Sequence, residues 1–392
     1  MQLRDTFVGV VIVGKEALTL LFMEFAVSKS DLVKELGLTQ GVVEKKTTIP
    51  ILSNILVETD EDKVWLTATD LELGIKCACP ARIKKEGAGT IPARRLLDYV
   101  RLLPDADVQV KVAENQWASL VCGRSRTRIA GMSRESFPEL PQMPESVAEI
   151  PLSVLSQMIA STIFAISAEE SRFTLNGALL ILKNSGLVMV STDGHRLALM
   201  EKKVELSGLK EPFRALLPKK AMSEVQKLAS DDVTKPVQFS GNDNHLFFQI
   251  DQRTLLSRRL TGNFPDYERV LPKEHPHVLV IGKDEFKSAI ERVAQFADER
   301  SRAIRLQILN GELKVHSSIS ETGESEETIP VEYSGPDVEV GFNAQYLLDF
   351  LRTVEGSEIE FHFKDANSAG ELRPHDGSAE TVYRYVVMPM RI

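Results

Sequence analysis

Six stretches of the chain place apolar residues three and four apart, the spacing that lines one face of an α-helix. They are Leu32, Val33 and Leu36; Leu96, Leu97, Val100 and Leu103; Leu155, Ile159, Thr162 and Ile166; Met222, Val225 and Leu228; Phe286, Ile290 and Val293; and Leu347, Phe350, Leu351 and Val354. Between them the period shortens to two, as in Val108-Gln-Val-Lys-Val112, which predicts strands with one buried face. Pro92 and Pro218 suit a first helical turn, where the missing N–H costs nothing, and Asn343 is a good N-cap. Asn310-Gly311 predicts a tight hairpin, because both residues tolerate positive φ. The acidic, glycine-containing stretch Ile319–Glu327 reads as a solvated hairpin tip. Two helices and about eight strands in every 120 residues predict an α+β fold, antiparallel sheet with helices on one face.

These elements recur. The second helix of each set opens at Pro92, Pro218 and Asn343, which are 126 and 125 residues apart. The preceding hairpins align as Ile55–Thr59 with Val64–Thr69, Leu179–Leu182 with Leu187–Thr192, and Ile304–Ile308 with Glu312–Ser317. Asp70 and Asp193 stand 123 apart in matching Thr-Asp pairs, and Phe137-Pro138 and Phe264-Pro265 match at 127. Such a long period means one structural module used three times, an arrangement suited to a scaffold rather than to one catalytic pocket. The expected boundaries are 23–143, 144–271 and 272–392, after an extension over 1–22 whose place in the fold cannot be derived. Its apolar run Phe7–Gly14 is too short for a membrane span, and an upstream extension or a mis-assigned start explains it best.

Composition changes this picture in two respects. Three unpaired-looking cysteines argue for a reducing compartment. A net charge of −9, from 47 Lys and Arg against 56 Asp and Glu, speaks against coating nucleic acid by bulk charge. Enzymatic signatures are lacking. Gly14-Lys15 has no glycine-rich phosphate loop, and no Gly-x-Ser-x-Gly or His-Glu-x-x-His occurs. Cys77-Ala-Cys79 with Cys122 and His275-Pro-His277 lack metal-site spacing. Asp70 and Asp193 form no acid–base pair, because they are equivalent positions of successive repeats and so suit a structural hydrogen-bonding role.

Within the repeats stand Thr48-Ile-Pro-Ile-Leu-Ser-Asn-Ile-Leu56, Leu66-Thr-Ala-Thr-Asp-Leu-Glu72, Leu175-Asn-Gly177, Thr192-Asp-Gly-His-Arg-Leu-Ala198, Asn263-Phe-Pro-Asp-Tyr-Glu-Arg-Val-Leu-Pro272 and Tyr385-Val-Val-Met-Pro-Met-Arg-Ile392. Together, in order and in phase with the triplication, these closely resemble the bacterial DNA polymerase III β subunits, the sliding clamps. The resemblance runs from Met23 to the last residue. It implies three clamp modules, sheets outside and two helices of each facing a central hole, in a head-to-tail dimeric ring around duplex DNA. It further implies a non-catalytic processivity factor without cofactor or metal, working in the cytoplasm on the nucleoid.

The family's recruitment groove, between the second and third modules, maps here onto Arg172, Leu175, Thr192, Gly194, His195, Arg196, Leu197, Pro265, Arg269 and Val270. The chain's end, Val386, Val387, Met388, Pro389, Met390, Arg391 and Ile392, completes the floor. Expected partners are the polymerase III α subunit, the clamp loader, repair polymerases, mismatch repair proteins and ligase, each through a short peptide. Adaptable methionines suit such promiscuity. Asn367 and Ala369 replace more typical Leu or Val and Ser or Pro, which leaves open a specialised paralogue for repair polymerases or antibiotic resistance.

Encirclement also reconciles the acidic charge, since retention by a topological link does not rest on phosphate neutralisation. The six helical segments sum to +1, with the positive excess at 93–103 and 219–229. Arg94, Arg95, Arg101, Lys219, Lys220 and Lys227 are therefore the expected phosphate contacts, with Lys46 aligned to a family arginine. Arg124, Arg126 and Arg128 read as a solvent-facing stripe, and Phe137 and Phe296 as dimer contacts.

Overall fold

The computed structural model describes residues 23–44, 48–229, 232–319 and 323–391. The extension 1–22, Lys46 and Ile392 lie outside the described residues.

The first repeat contains β1 (Met23–Ser28), α1 (Lys29–Thr39), β2 (Asn54–Asp60), β3 (Lys63–Thr69), β4 (Leu73–Lys85), β5 (Ala88–Pro92), α2 (Ala93–Leu102), β6 (Asp107–Val112), β7 (Trp117–Cys122) and β8 (Ser125–Ala130). The second contains β9 (Ala148–Pro151), α3 (Leu152–Thr162), β10 (Gly177–Lys183), β11 (Gly186–Thr192), β12 (Arg196–Lys202), β13 (Phe213–Pro218), α4 (Lys219–Ala229), β14 (Pro236–Gly241), β15 (His245–Ile250) and β16 (Arg253–Arg258). The third contains β17 (His277–Gly282), α5 (Lys283–Val293), β18 (Ala303–Leu309), β19 (Glu312–Ile319), β20 (Gly323–Pro330), β21 (Val338–Asn343), α6 (Ala344–Leu351), β22 (Glu358–Phe363), β23 (Gly370–Pro374) and β24 (Thr381–Val387).

The chemistry of the helix starts is local. Ser28 caps α1 by accepting from Asp31 N at 3.2 Å, and Asn343 caps α6 by accepting from Gln345 N and Tyr346 N. Helix α2 buries the face its spacing predicts, Ala93, Leu96, Leu97 and Val100, whereas α1 buries Leu32, Glu35, Leu36 and Thr39 and leaves Val33 half-buried. The stripe through Thr162 and Ile166 is shorter than expected. Helix α3 stops at Thr162 and a single 3₁₀ turn, Ile163–Ala165, follows.

Packing divides the chain into two compact units, one of residues up to Pro144 with Phe247–Arg258, the other of Glu145–Leu246 with Arg259 onward. In the first unit the strands run β8-β7-β6-β1-β4-β16, with β3 beside β4 and β2, and β5 beside β2. In the second, eight strands run β13-β10-β11-β12-β24-β23-β22-β17, and four more run β20-β19-β18-β21. The fourth strand of one repeat thus pairs with the eighth strand of the next. Leu73–Lys76 of β4 ladders with Thr254–Ser257 of β16, and Arg196–Lys202 of β12 ladders with Thr381–Val387 of β24.

One expectation is corrected. Gly323–Glu327 is not a hairpin tip but part of β20, the edge of its sheet, paired residue for residue with β19. Its alternating exposed Glu324 and Glu326 form a charged strand edge, one means by which open edges stay unpaired. Glu321 lies outside the described residues.

Candidate functional site

The β12–β24 ladder of the second unit supports an apolar cluster of Leu179, Val188, Val190, Leu197, Leu199, Leu216, Phe264 and Val386, with Leu175, Leu260, Tyr267, Leu271 and Ala369 packed against it. Leu197 sits opposite Val386 in the ladder, so the two expected groove residues meet by register alone. Val387 beside them is fully buried.

Above the cluster the chain turns sharply between β11 and β12. Thr192 Oγ1 donates to Arg196 O at 2.7 Å and accepts from Gly194 N at 3.1 Å, while Asp193 Oδ1 accepts from the His195 and Arg196 amides. Asp70 makes the same turn in the first repeat, accepting from Glu72 N and Leu73 N. Gly194 has φ +91°, and a Cβ there would lie 2.9 Å from Arg172 Nη1, which donates to Asp193 O. Glycine therefore lets Arg172 close over the turn. His195 is exposed, and its carbonyl accepts from Met388 N at 2.9 Å, bringing wall and floor together.

Arg196, expected in the groove wall, has its guanidinium buried and bound to other elements of the fold. It binds Asp193 Oδ2 at 3.0 Å, Asp349 Oδ2 at 2.6 Å and the Phe164 carbonyl at 2.6 Å, and lies 4.2 Å from the Tyr346 ring centre. Burial alone would lower its pKa, but Tyr385, Asp349 and Asp193 outweigh it and hold the pKa above the ordinary arginine value. Arg196 is a bolt behind the wall, joining β12 to α6.

The outer rim is exposed. Pro265 and Val270 face solvent, and Arg269 pairs with Asp266 at 2.8 Å. Met388 is 41% exposed, with half-buried Pro389 and Met390 beyond it and Arg391 exposed. Asn367 lies outside the cluster in a turn held by Asp365, whereas Ala369 packs into it. Three residues were not anticipated. Phe173, 72% exposed, stands two residues before Leu175, and Tyr267 and Leu271 seal the cluster's side. The Phe264-Pro265 repeat could have pointed to this segment.

The floor strand is fixed by a buried carboxylate. Glu371, fully buried, accepts from Arg384 at 2.5 and 2.7 Å and from Arg373 at 2.6 Å, with His275 Nε2 at 2.9 Å. Burial would raise its pKa, yet the two arginines and the histidine bring it down to about 2. His275 is thus a structural partner, and no described cluster of His, Cys, Asp and Glu could hold a metal ion. Burial and Glu35 push the Cys77 thiol well up, and burial with Glu35 and Asp31 takes Cys79 to about 12.

The basic candidates divide between two helices. Arg94, Arg95 and Arg101 occupy the exposed face of α2, with Asp98 3.8 Å from Arg94. Lys219, Lys220 and Lys227 are exposed on α4, where Lys227 pairs with Glu224 at 2.7 Å. Phe137 is 7% exposed and packs with Ile51, Leu52 and Leu56, so its side chain is committed to its own module rather than to a partner. Phe296, 36% exposed, lies beside β20, where a Cβ on Gly323 would sit 3.4 Å from its ring. No described helix is long and apolar enough to cross a membrane.

Three family models match the chain in sequence. They are the N-terminal domain of the DNA polymerase III beta subunit at residues 23–141, its central domain at 149–266 and its C-terminal domain at 268–391. The chain belongs to this beta-subunit family. The beta sliding clamp of Pseudomonas aeruginosa is 34% identical over 377 residues, covering 94% of this chain and all of that one. That of Caulobacter vibrioides is likewise 34% identical, over 379 residues. A crystal structure of the Bartonella birtlesii sliding clamp bound to griselimycin superimposes with a TM-score of 0.89 at 33% identity, covering 95% of this chain and all of that one. The B. subtilis sliding clamp matches with a TM-score of 0.88 at 27% identity, covering 94% and 99%. Members of this family are processivity factors and not enzymes, and the triplicated α+β architecture is theirs.

Proposed function

We propose that two copies of this chain close head to tail around duplex DNA and tether the replicative polymerase through the groove on β12 and β24. The apolar cluster near Gly194, His195 and Met388 carries this reading, since its buried floor is bordered by an exposed rim. An extended peptide with leucine and phenylalanine anchors would bury those side chains against Leu175, Leu197, Val386 and Met388. Arg172, Arg269 and His195 border its polar ends. The same groove would serve the polymerase α subunit, the clamp loader, repair polymerases, mismatch repair proteins and ligase in turn, in the cytoplasm. Ala369 continues the apolar surface and Asn367 stands clear of it, so nothing here favours a specialised paralogue.

Ring closure follows from the strand rule. Strand β4 takes β16 and β12 takes β24, which among the described residues leaves β20 without an eighth strand and β8 without a fourth-strand partner. A second copy would supply both. The edges are complementary, with Arg126 and Arg128 exposed at alternate positions of β8 and Glu324 and Glu326 at alternate positions of β20. Phe296 would join this seam. The exposed cations of α2 and α4 would meet phosphates without reading sequence.

Fluorescence anisotropy with a Gln-Leu-x-Leu-Phe peptide tests the groove directly. Saturable binding that vanishes when the leucine and phenylalanine anchors become alanine is expected. Equal binding of both peptides would refute it.

A further inference from the structure

At the opposite end of the β12–β24 ladder the second unit contains a cavity of about 310 Å³. Met200 and Lys202, which line it, lie on the opposite face of β12 from Leu197 and Leu199 of the groove cluster. Its floor is apolar. Met200 is 2% exposed, Val354 4% and Tyr383 6%, and the Tyr383 hydroxyl is engaged, donating to Ser161 O at 2.9 Å.

The mouth is acidic. Glu355, Glu358 and Asp376 are exposed around it. Glu355 commits one oxygen to Gln157 Nε2 at 3.0 Å. The lining's one cation, Lys202, is turned aside onto Thr381 Oγ1 at 2.6 Å. The lining therefore carries three carboxylates against one ammonium.

We infer that this cavity is a binding site for a small amphiphilic cation, a guanidinium or primary ammonium on a short apolar body. The body lies on Met200, Val354 and Tyr383, and the charged head reaches the carboxylates at the mouth. This is how a long basic side chain divides itself between an apolar surface and water. The volume stands at the lower end of the ligand-pocket range, about 300–1,000 Å³, and suits a single side chain rather than a nucleotide or a folded peptide. A neutral apolar ligand would leave the acidic mouth unmatched, and an anion would be repelled by it. The site shares no residue with the groove cluster, whose Leu197 and Leu199 lie on the other face of β12.

The test titrates the full chain with N-α-acetyl-arginine amide and with its neutral isostere N-α-acetyl-citrulline amide, followed by saturation-transfer NMR. Saturable millimolar binding of the arginine compound is expected, with the citrulline compound at least fivefold weaker. Glu355→Gln with Asp376→Asn should weaken arginine binding by about two- to fivefold per carboxylate, as exposed ion pairs do. Both substitutions are isosteric and at exposed positions, and an unchanged melting curve will show that the fold is intact. Excess groove peptide should leave the titration unaltered. Equal affinity for the two compounds, failure to saturate, indifference to the double substitution or displacement by the groove peptide would each overturn the inference.

Discussion

Reversing the charges on one strand edge is the sharpest test of ring closure. In Arg126→Glu with Arg128→Glu, two positions expected to face Glu324 and Glu326 of another copy become repulsive. An exposed ion pair contributes about 0.2–1 kcal/mol, and like charges placed opposite each other cost a similar amount. Each pair therefore swings by about 0.4–2 kcal/mol, and two pairs weaken one seam by about 1–4 kcal/mol. A ring has two identical seams and dissociates only when both open, so the dimer loses about 1.6–8 kcal/mol. At about 1.4 kcal/mol per decade, even the lower bound raises the dissociation constant roughly 15-fold. Sedimentation velocity from nanomolar to micromolar protein will show the shift to monomer. Adding Glu324→Arg and Glu326→Arg to the same chain restores attraction at both seams at once and should recover the dimer. A reversed variant that still sediments as a dimer at nanomolar concentration, or a double reversal that fails to recover, would refute the proposed pairing.

Two further outcomes follow from the interior. Arg196→Met strands Asp349, Asp193 and the Phe164 carbonyl, and should cost about 3–5 kcal/mol in urea unfolding. Arg196→Lys should rescue little, since one ammonium cannot span three acceptors, and a parent-like midpoint in either variant would contradict this. Glu371 has a folded-state pKa of about 2 against an ordinary 4.5, so its stabilisation is present above pH 4.5 and is lost as pH falls towards 2. That linkage is worth about 3 kcal/mol. Melting curves from pH 6 to 2 should show that part of the acid sensitivity removed in Glu371→Gln; an unchanged pH profile would be the contrary result.

Much of the architecture was readable in the sequence because local rules and the repeat agree. Asn343 caps a helix, the hairpins close where alternation breaks, and Asp70 and Asp193 hold equivalent turns. The walls and floor of the proposed groove could be named only through short words shared with a family. Spacing alone cannot tell Leu197 from any other buried strand residue. What remained hidden depends on contacts far apart in sequence. Arg196 looked like a surface ligand because its partner Asp349 is 153 residues away. Phe137 looked like an interface residue because an apolar side chain carries no mark of which surface buries it. The acidic run around Glu324 looked like a loop because charge outweighed the alternation that makes it an edge strand.

The handing of each eighth strand to the sheet before it has a consequence for assembly during synthesis. The proposed groove's walls are encoded in the second repeat, but their floor, Thr381–Val387, comes almost 180 residues after β12 ends. A nascent chain with two repeats would expose β12 as an open edge with no β24 to cover it. On the proposed function, partner recruitment would be withheld until the third repeat has folded, and an incomplete chain would not compete for polymerase.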